Sequence, residues 1–458
     1  MHGNSPQGPS KPFAKTMPPR SAGRYCTFGR ICHRGHGASG AVALWEFHDH
    51  NMRRVRHRQR RVAAREEKTL TLTRSPYSCG MVALAGTGGH PEAFCKAIAT
   101  EAEAMGGGFA FIFHSPRLYS PGELAAALRR HAPSVAHACC TTAGEITPEG
   151  LQDGQAIAMI LPASHFTVVT TLIEDVTNAG MESITARVEM ARHALAQACK
   201  PEGARTFAVC LIDGMCYSEE AVTSAIHWGL DDIPLIGGSA GDDLNFHETP
   251  IIHDGHVHTG AAVIALVATD VPFHIFKTDN FVPTQKKLVV TASDPDHRIV
   301  HELNAAPAAA EYAQAIGMDP QSLSPLSFAT HPVVVRVGGE YYCRSIQKVN
   351  EDGSLSFFCA IDDGVVLTVA EPTGMVETTR QALNDVAAQL KGIDVVLGFE
   401  CTHRRLDAQN RQIIRDVSEL YRTNNVIGFA TYGEQFRSMH LNQTFTGVAF
   451  GAMREAAG

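Results

Sequence analysis

The chain has 458 residues, 44% of them hydrophobic and 19% charged, which is ordinary for folded protein and too long for one core, so two globular domains are expected. No apolar run approaches the roughly 18 residues of a membrane-spanning helix and no secretory pattern opens the chain, which points to a cytoplasmic protein without membrane contact. The net charge of −8 is uneven: residues 1–80 carry 15 Lys and Arg against 4 Asp and Glu, the remainder 24 against 43, so the acidic body is not a nucleic-acid binder.

Residues 1–80 are rich in Pro, Gly, Ser, Arg and His without periodicity, and read as an unstructured basic extension. Its basic stretch 53–65 is a flexible arm in which nucleic-acid contact is the alternative to a solvated tail. From Met81 onward strand and helix patterns alternate. Residues 91–105 read as a helix stopped by Gly106-Gly107-Gly108, then 109–113 as a buried strand, 121–131 as a helix and 135–140 as a strand. Residues 155–161 and 166–173 are two more strands, and 180–199 a long amphipathic helix with Ile184, Val188, Ala191 and Leu195 on one face. A strand at 207–212 leads to a helix opening at Ser218, with Glu219 and Glu220 where the dipole favours acids. Residues 233–236 form a short strand, and Asp254-Gly255 turns a hairpin.

The domain boundary is placed near residue 280, giving α/β domains at 81–280 and 281–458. In the second, 298–303 precede an Ala-rich helix at 308–316, and 333–337, 340–349 and 355–360 form a meander. Residues 376–390 are helical, 395–399 a strand, 408–421 a helix, and 426–430 and 443–449 finish the sheet. No internal repeat is evident.

The twelve cysteines are scattered with no C-x-x-C pair and read as reduced, buried thiols; the vicinal Cys139 and Cys140 alone raise a redox role. Gly237, Gly238, Ser239 and Gly241 form a glycine-rich turn ending in Asp242 and Asp243. Bare amides with two carboxylates there suit an amine or a cation, while the structural alternative is a turn whose aspartates cap neighbouring amides. The same turn spells G-x-S-x-G, but no helical pattern follows it, which argues against a serine hydrolase built on Ser239. Gly86, Gly88 and Gly89 lack the spacing of a dinucleotide loop, and His253, His256 and His258 crowd one hairpin, either as a solvated surface or as metal ligands. Tyr342 and Arg344 share a strand face with Glu340, and with Arg404, Glu400 and Glu434 they outline either a polar pocket for a charged small molecule or a set of structural ion pairs.

Several segments resemble the FIST_N and FIST_C domain pair of bacterial sensory proteins. They are Cys140-Thr141-Thr142-Ala143-Gly144-Glu145-Ile146, the run from Pro234 through Gly237-Gly238-Ser239-Ala240-Gly241-Asp242-Asp243, and Glu302-Leu303-Asn304 with Pro307-Ala308 and Tyr312. Ala305 stands where that family carries Gly. The tail, Gly428-Phe429-Ala430-Thr431-Tyr432-Gly433-Glu434-Gln435 then His440-Leu441-Asn442-Gln443-Thr444, with Gly398-Phe399-Glu400-Cys401 and Arg404, is similar to the subgroup of haem-binding nitric-oxide sensors. The resemblance implies a non-enzymatic sensor that binds non-covalent haem b or another small ligand, such as an amino acid at the Gly237–Asp243 turn. It would signal by contact to a separate histidine kinase or cyclic-di-GMP enzyme. Ligand contacts are expected from that turn and from Arg344, Arg404, Tyr432 and Glu434. His440 is the first candidate for an axial ligand or a pocket hydrogen bond, with a structural link to the Tyr432–Glu434 loop as the alternative, followed by His403 and His331.

Overall fold

The computed structural model describes residues 69–199 and 203–453, a mixed α/β body. One plan is used three times. A first strand leads through a helix to a second strand, and then through further helix to a third strand parallel to the second. A short hairpin follows, and the chain returns as a fourth strand antiparallel to the second. The four strands are Val82–Thr87, Gly108–His114, Ala136–Thr141 and Ala156–Pro162 in the first copy. They are Phe166–Ile173, Arg205–Ile212, Leu235–Ser239 and Ala262–Thr269 in the second, and Phe273–Asp279, Val395–Cys401, Val426–Thr431 and Thr444–Phe450 in the third. The spatial order is first, fourth, second, third in every copy, and the second and third strands are always parallel.

The hairpins leave their own sheets. That of the first copy, Glu145–Thr147 with Gly150–Gln152, extends the sheet of the third. That of the second, Ile251–His253 with His256–His258, extends the first, and that of the third, Glu434–Phe436 with Met439–Leu441, extends the second. The exchange is cyclic, so the copies share hydrogen-bonded ladders. The repeat is invisible in the sequence because the copies share strand order and turn geometry rather than side-chain identity. Inner faces of the three sheets meet in one core, where Phe113 lies 4.6 Å from Phe429 and Phe207 lies 5.8 Å from Phe450, ring centre to ring centre.

Residue 280 is therefore not a boundary between two bodies. It is where an insertion opens inside the third copy, between the strand Phe273–Asp279 and the helix Met375–Leu390. The insertion builds a fourth sheet from strands that include Phe281–Asp294, Val333–Val337, Glu340–Arg344 and Val366–Pro372, backed by the helices Ala308–Ile316 and Pro325–Thr330. The insertion looked like half of a domain because its strands alternate in the same way as the rest.

Other expectations need correction. Residues 71–76, read as part of the unstructured extension, form an edge strand, Thr71–Pro76, paired residue for residue with Val82–Thr87. Arg74 on it meets both Glu101 oxygens at 2.7 Å. The rest of the extension, with the basic stretch 53–65, Cys26 and Cys32, lies outside the described residues. The helix expected at 408–421 is two, Thr402–Asn410 and Ile414–Thr423, broken where Gln412 takes a φ of 61°. Ala305, at the family's glycine position, does adopt the left-handed φ of 61° that glycine tolerates best. No helix among the described residues is long and apolar enough to cross a membrane.

Candidate functional site

The third strand of each copy ends at the same place. These strands continue into Thr142-Ala143-Gly144-Glu145, Ala240-Gly241-Asp242-Asp243 and Thr431-Tyr432-Gly433-Glu434. The turns close a ring of backbone hydrogen bonds: Gly241 donates to the Thr141 carbonyl at 3.1 Å, Ala143 to that of Ala430 at 3.0 Å, and Tyr432 to that of Ser239 at 3.1 Å. Motifs scattered through the sequence converge because they are one element in three copies.

The ring accounts for most of the glycines. A Cβ on Gly241 would sit 2.7 Å from the Cβ of Ala143, one on Gly238 would lie 2.5 Å from the Thr431 methyl, and one on Gly237 would run into the Cys210 carbonyl. The glycines admit close-packed neighbouring backbone and side chains rather than an open amide cradle. Asp242 takes the capping role. Its carboxylate accepts from the Tyr432 hydroxyl, from the amides of Phe246 (2.9 Å) and His247 (2.7 Å), and from that of Glu248 at 3.3 Å. These four donors fill the acceptor sites of a carboxylate, which leaves none for an amine ligand. Asp243 gives one oxygen, Oδ2, to Arg117 at 2.6 Å and Ser115 at 2.9 Å, while its Oδ1 is buried without a partner.

The two glutamates in equivalent places are fully buried. Burial pushes Glu145 up to about 7 and Glu434 up to about 8, against the hydroxyl of Thr142 for the first and those of Thr431 and Thr444 for the second. Ser239 is also buried. Its hydroxyl accepts from Gln435 at 3.0 Å, and the chain after it runs into a turn rather than the helix of a nucleophile elbow.

The polar pocket outlined by Arg344, Arg404, Glu400 and Glu434 does not form. Arg404 is 1% exposed and spends its guanidinium inside the third copy, on Asn280 (2.8 Å), Thr379 (2.9 Å) and Glu400 (3.7 Å). Arg344 sits on the inserted sheet and donates to the carbonyls of Cys343 and His440. His440 follows the structural-link alternative. Its Nδ1 lies 3.3 Å from Gln435, while its Nε2 is buried without a partner against Gly433, where a Cβ would lie 2.6 Å away. Burial lowers its imidazole to about 4. No room for an iron exists on that face, so His440 does not fit an axial ligand. His331 caps a short helix and accepts from Tyr312 through its carbonyl.

The hairpin histidines diverge, His253 toward Thr170 and His258 toward Glu174, and no metal-holding group of three His, Cys, Asp or Glu occurs among the described residues. Cys139 and Cys140 are fully buried, and burial drives both thiols well above their ordinary range, away from redox reactivity.

What the fold does leave open is a cavity of about 280 Å³ where the second copy, the third copy and the insertion meet. The second copy supplies Leu244 and Phe246, from the loop that Asp242 caps. The third copy supplies the helix start Cys401-Thr402-His403 with Leu406, the turn residues Thr431 and Tyr432, and Asn442. The insertion supplies Pro325, Gln347 and Phe358. Phe246 stacks on Tyr432 at 4.9 Å and 22° between ring planes, and Phe358 meets the His403 ring edge-on at 4.9 Å. Burial lowers His403 to about 4, so it is neutral, and its Nδ1 is buried without a partner.

At the other two junctions ion pairs cross between copies: Arg117 with Asp243 between the first and second, and Arg405 with Asp153 between the third and first. Of the expected site residues only Tyr432 lines the cavity, with His403 from the secondary candidates. Phe246, Phe358 and Leu406 were missed. The available signal was positional, since His403 follows the C-terminal end of a buried strand, where ligands gather in α/β sheets.

Comparison with known proteins places this geometry. A FIST N domain matches residues 108–306 and a FIST C domain residues 308–437, the join falling inside the insertion. An uncharacterized protein of Methanocaldococcus jannaschii is 26% identical over 254 residues, spanning 48% of this chain and 49% of that one, so the chain spans about half the length of the curated relative it matches. Among solved structures, cyanuric acid hydrolase from A. caulinodans aligns over 84% of this chain and 99% of its own at 10% identity and a TM-score of 0.35. Phosphoribosylformylglycinamidine synthase II from Thermotoga maritima aligns over 83% and 74% at 8% identity and a TM-score of 0.16. Neither score carries an argument. With both domains present in order, the chain belongs to the FIST family, a FIST N domain followed by a FIST C domain.

Proposed function

We propose that the cavity holds a compact, uncharged, largely apolar ligand, the finer form of the small-ligand sensing and signalling with which FIST domains are associated. The observation that carries this is the lining. None of its twelve side chains is charged, and its polar groups are the amides of Gln347 and Asn442, the Thr402 and Thr431 hydroxyls, the Tyr432 hydroxyl held by Asp242, and the neutral imidazole of His403. A few hydrogen-bonding groups on an aromatic wall suit a small planar molecule. A zwitterionic amino acid finds no counter-charge there.

Haem fits these residues poorly. Its propionates meet no cation in the lining, and about 280 Å³ lies just below the roughly 300–1,000 Å³ of ordinary ligand sites.

The same reading makes the protein a non-enzymatic switch that acts on a separate histidine kinase or cyclic-di-GMP enzyme by contact. Support comes from a tie between the cavity wall and a helix of the second copy. Buried Arg298 donates to the Phe358 carbonyl at 2.8 Å and pairs with Glu219 and Glu220 at the start of the helix Glu219–Leu230, while the Ala360 amide donates to Glu220 at 3.1 Å. A ligand that shifts Phe358 therefore shifts that helix.

Thermal-shift titration of the full chain with indole, p-cresol and benzamide, beside their carboxylated and aminated analogues, tests the reading. Stabilisation by neutral probes, abolished in Leu406→Trp, which fills the cavity, is expected. Equal stabilisation by the charged analogues, or full retention in Leu406→Trp, would overturn it. A stoichiometric Soret band on haem titration, lost in His403→Ala, would restore the haem reading.

A further inference from the structure

We propose a second, anion-binding site on the inserted sheet, distinct from the apolar cavity, that takes a small molecule bearing two or more phosphate or carboxylate groups. The strands Val333–Val337 and Val366–Pro372 pair only at Val333 with Val369 and Val334 with Thr368. Beyond those two pairs the strands part, and a groove of about 570 Å³ opens between Val335–Val337 and Val365–Val366.

Three cations from three strands reach this groove: Lys287 from Phe281–Asp294, Arg336 from Val333–Val337 and Arg344 from Glu340–Arg344. One carboxylate, Asp362, lines it with them. Among the described residues none of the three cations is in an ion pair, whereas the buried arginines Arg298, Arg404 and Arg405 all are. A net positive groove is out of keeping with a body in which residues 81–458 carry 24 basic against 43 acidic side chains. Two or more cations at the mouth of a concave site are the ordinary means of holding a multivalent anion, with the planar fork of arginine suited to phosphate or carboxylate oxygens.

Arg344 is the anchor. It is half-buried, and its guanidinium is oriented by the carbonyls of Cys343 and His440, both at 3.3 Å, which leave other N–H donors for a ligand. Arg336 lies over the Tyr341 ring at 5.8 Å, a second flat surface on the groove wall. Through the His440 carbonyl the groove is two residues from Asn442, which lines the apolar cavity. Occupancy of the groove can therefore bias the cavity, although the anion site stands whether or not the cavity reading does.

Isothermal titration calorimetry of the full chain with pyrophosphate and with citrate tests the proposal. The expected result is saturable binding of at least one probe, weakened roughly tenfold or more in Arg344→Gln, as for loss of hydrogen bonds to a charged group, and weakened in Lys287→Gln and Arg336→Gln. It should be unchanged in Arg380→Gln, an exposed arginine on another helix. Binding confined to pyrophosphate or to citrate says which oxyanion the groove prefers. No saturable heat with either probe, or equal affinity in Arg344→Gln and Lys287→Gln folded to the wild-type melting temperature, would overturn it.

Discussion

Replacing Asp242 by Ala separates a capping carboxylate from a ligand-binding one. Its four acceptor contacts hold residues 242–248 in a loop where Asp243, Leu244 and Phe246 all take positive φ, a course the chain keeps only if something fixes it. At about 1 kcal/mol net per hydrogen bond, the loss is about 4 kcal/mol. Exposed loop amides recover water, which reduces this to about 3 kcal/mol. With an unfolding entropy of about 2.1 cal/mol/K per residue over the 382 described residues (131 in 69–199 and 251 in 203–453), the melting temperature should fall by about 4 °C. Because Leu244 and Phe246 form one wall of the cavity, binding of neutral probes should be lost as well. Asp242→Asn should fall between, since its amide group can serve only two of the four donors as an acceptor. Scanning calorimetry with and without indole provides both readouts. An Asp242→Ala protein melting within 1 °C of wild type, with its indole shift intact, would refute the capping argument.

Two further outcomes follow from buried charge. Burial raises Glu434 from about 4.5 to about 8, so the folded state holds its proton longer than the unfolded one; this contribution is fully favourable below pH 4.5 and is lost as pH rises toward 8, on the order of 4 kcal/mol in all. Glu434→Gln should flatten the fall in melting temperature between pH 5 and 8, and an unchanged slope would count against the assignment. Arg298→Met should destabilise by about 3–5 kcal/mol, because Glu219 and Glu220 would be left without their cation; adding Glu219→Gln should recover part of the loss in urea unfolding.

Most secondary structure was legible because it follows local rules. The helix at 121–131 begins with a capping box between Ser120 and Glu123, and the buried strands read as apolar runs of the right length. The glycine-acid motifs were also visible one by one, as was Ala305 at a position where the family carries Gly. Their convergence was not, because a ring such as Ala143 on Ala430, Tyr432 on Ser239 and Gly241 on Thr141 is made by backbone groups about 100 to 290 residues apart, whose hydrogen bonds leave no mark on side-chain pattern.

For the same reason sequence could name Arg344, Arg404 and Glu434 as polar groups but not divide them between a groove, an internal ion pair and a buried neutral acid. Composition and periodicity determined an α/β chain with motifs at its strand ends. The exchange of hairpins among three copies, the insertion laid over one junction and the apolar cavity beneath it were decided only by tertiary packing, since a cavity is the space that distant side chains fail to fill.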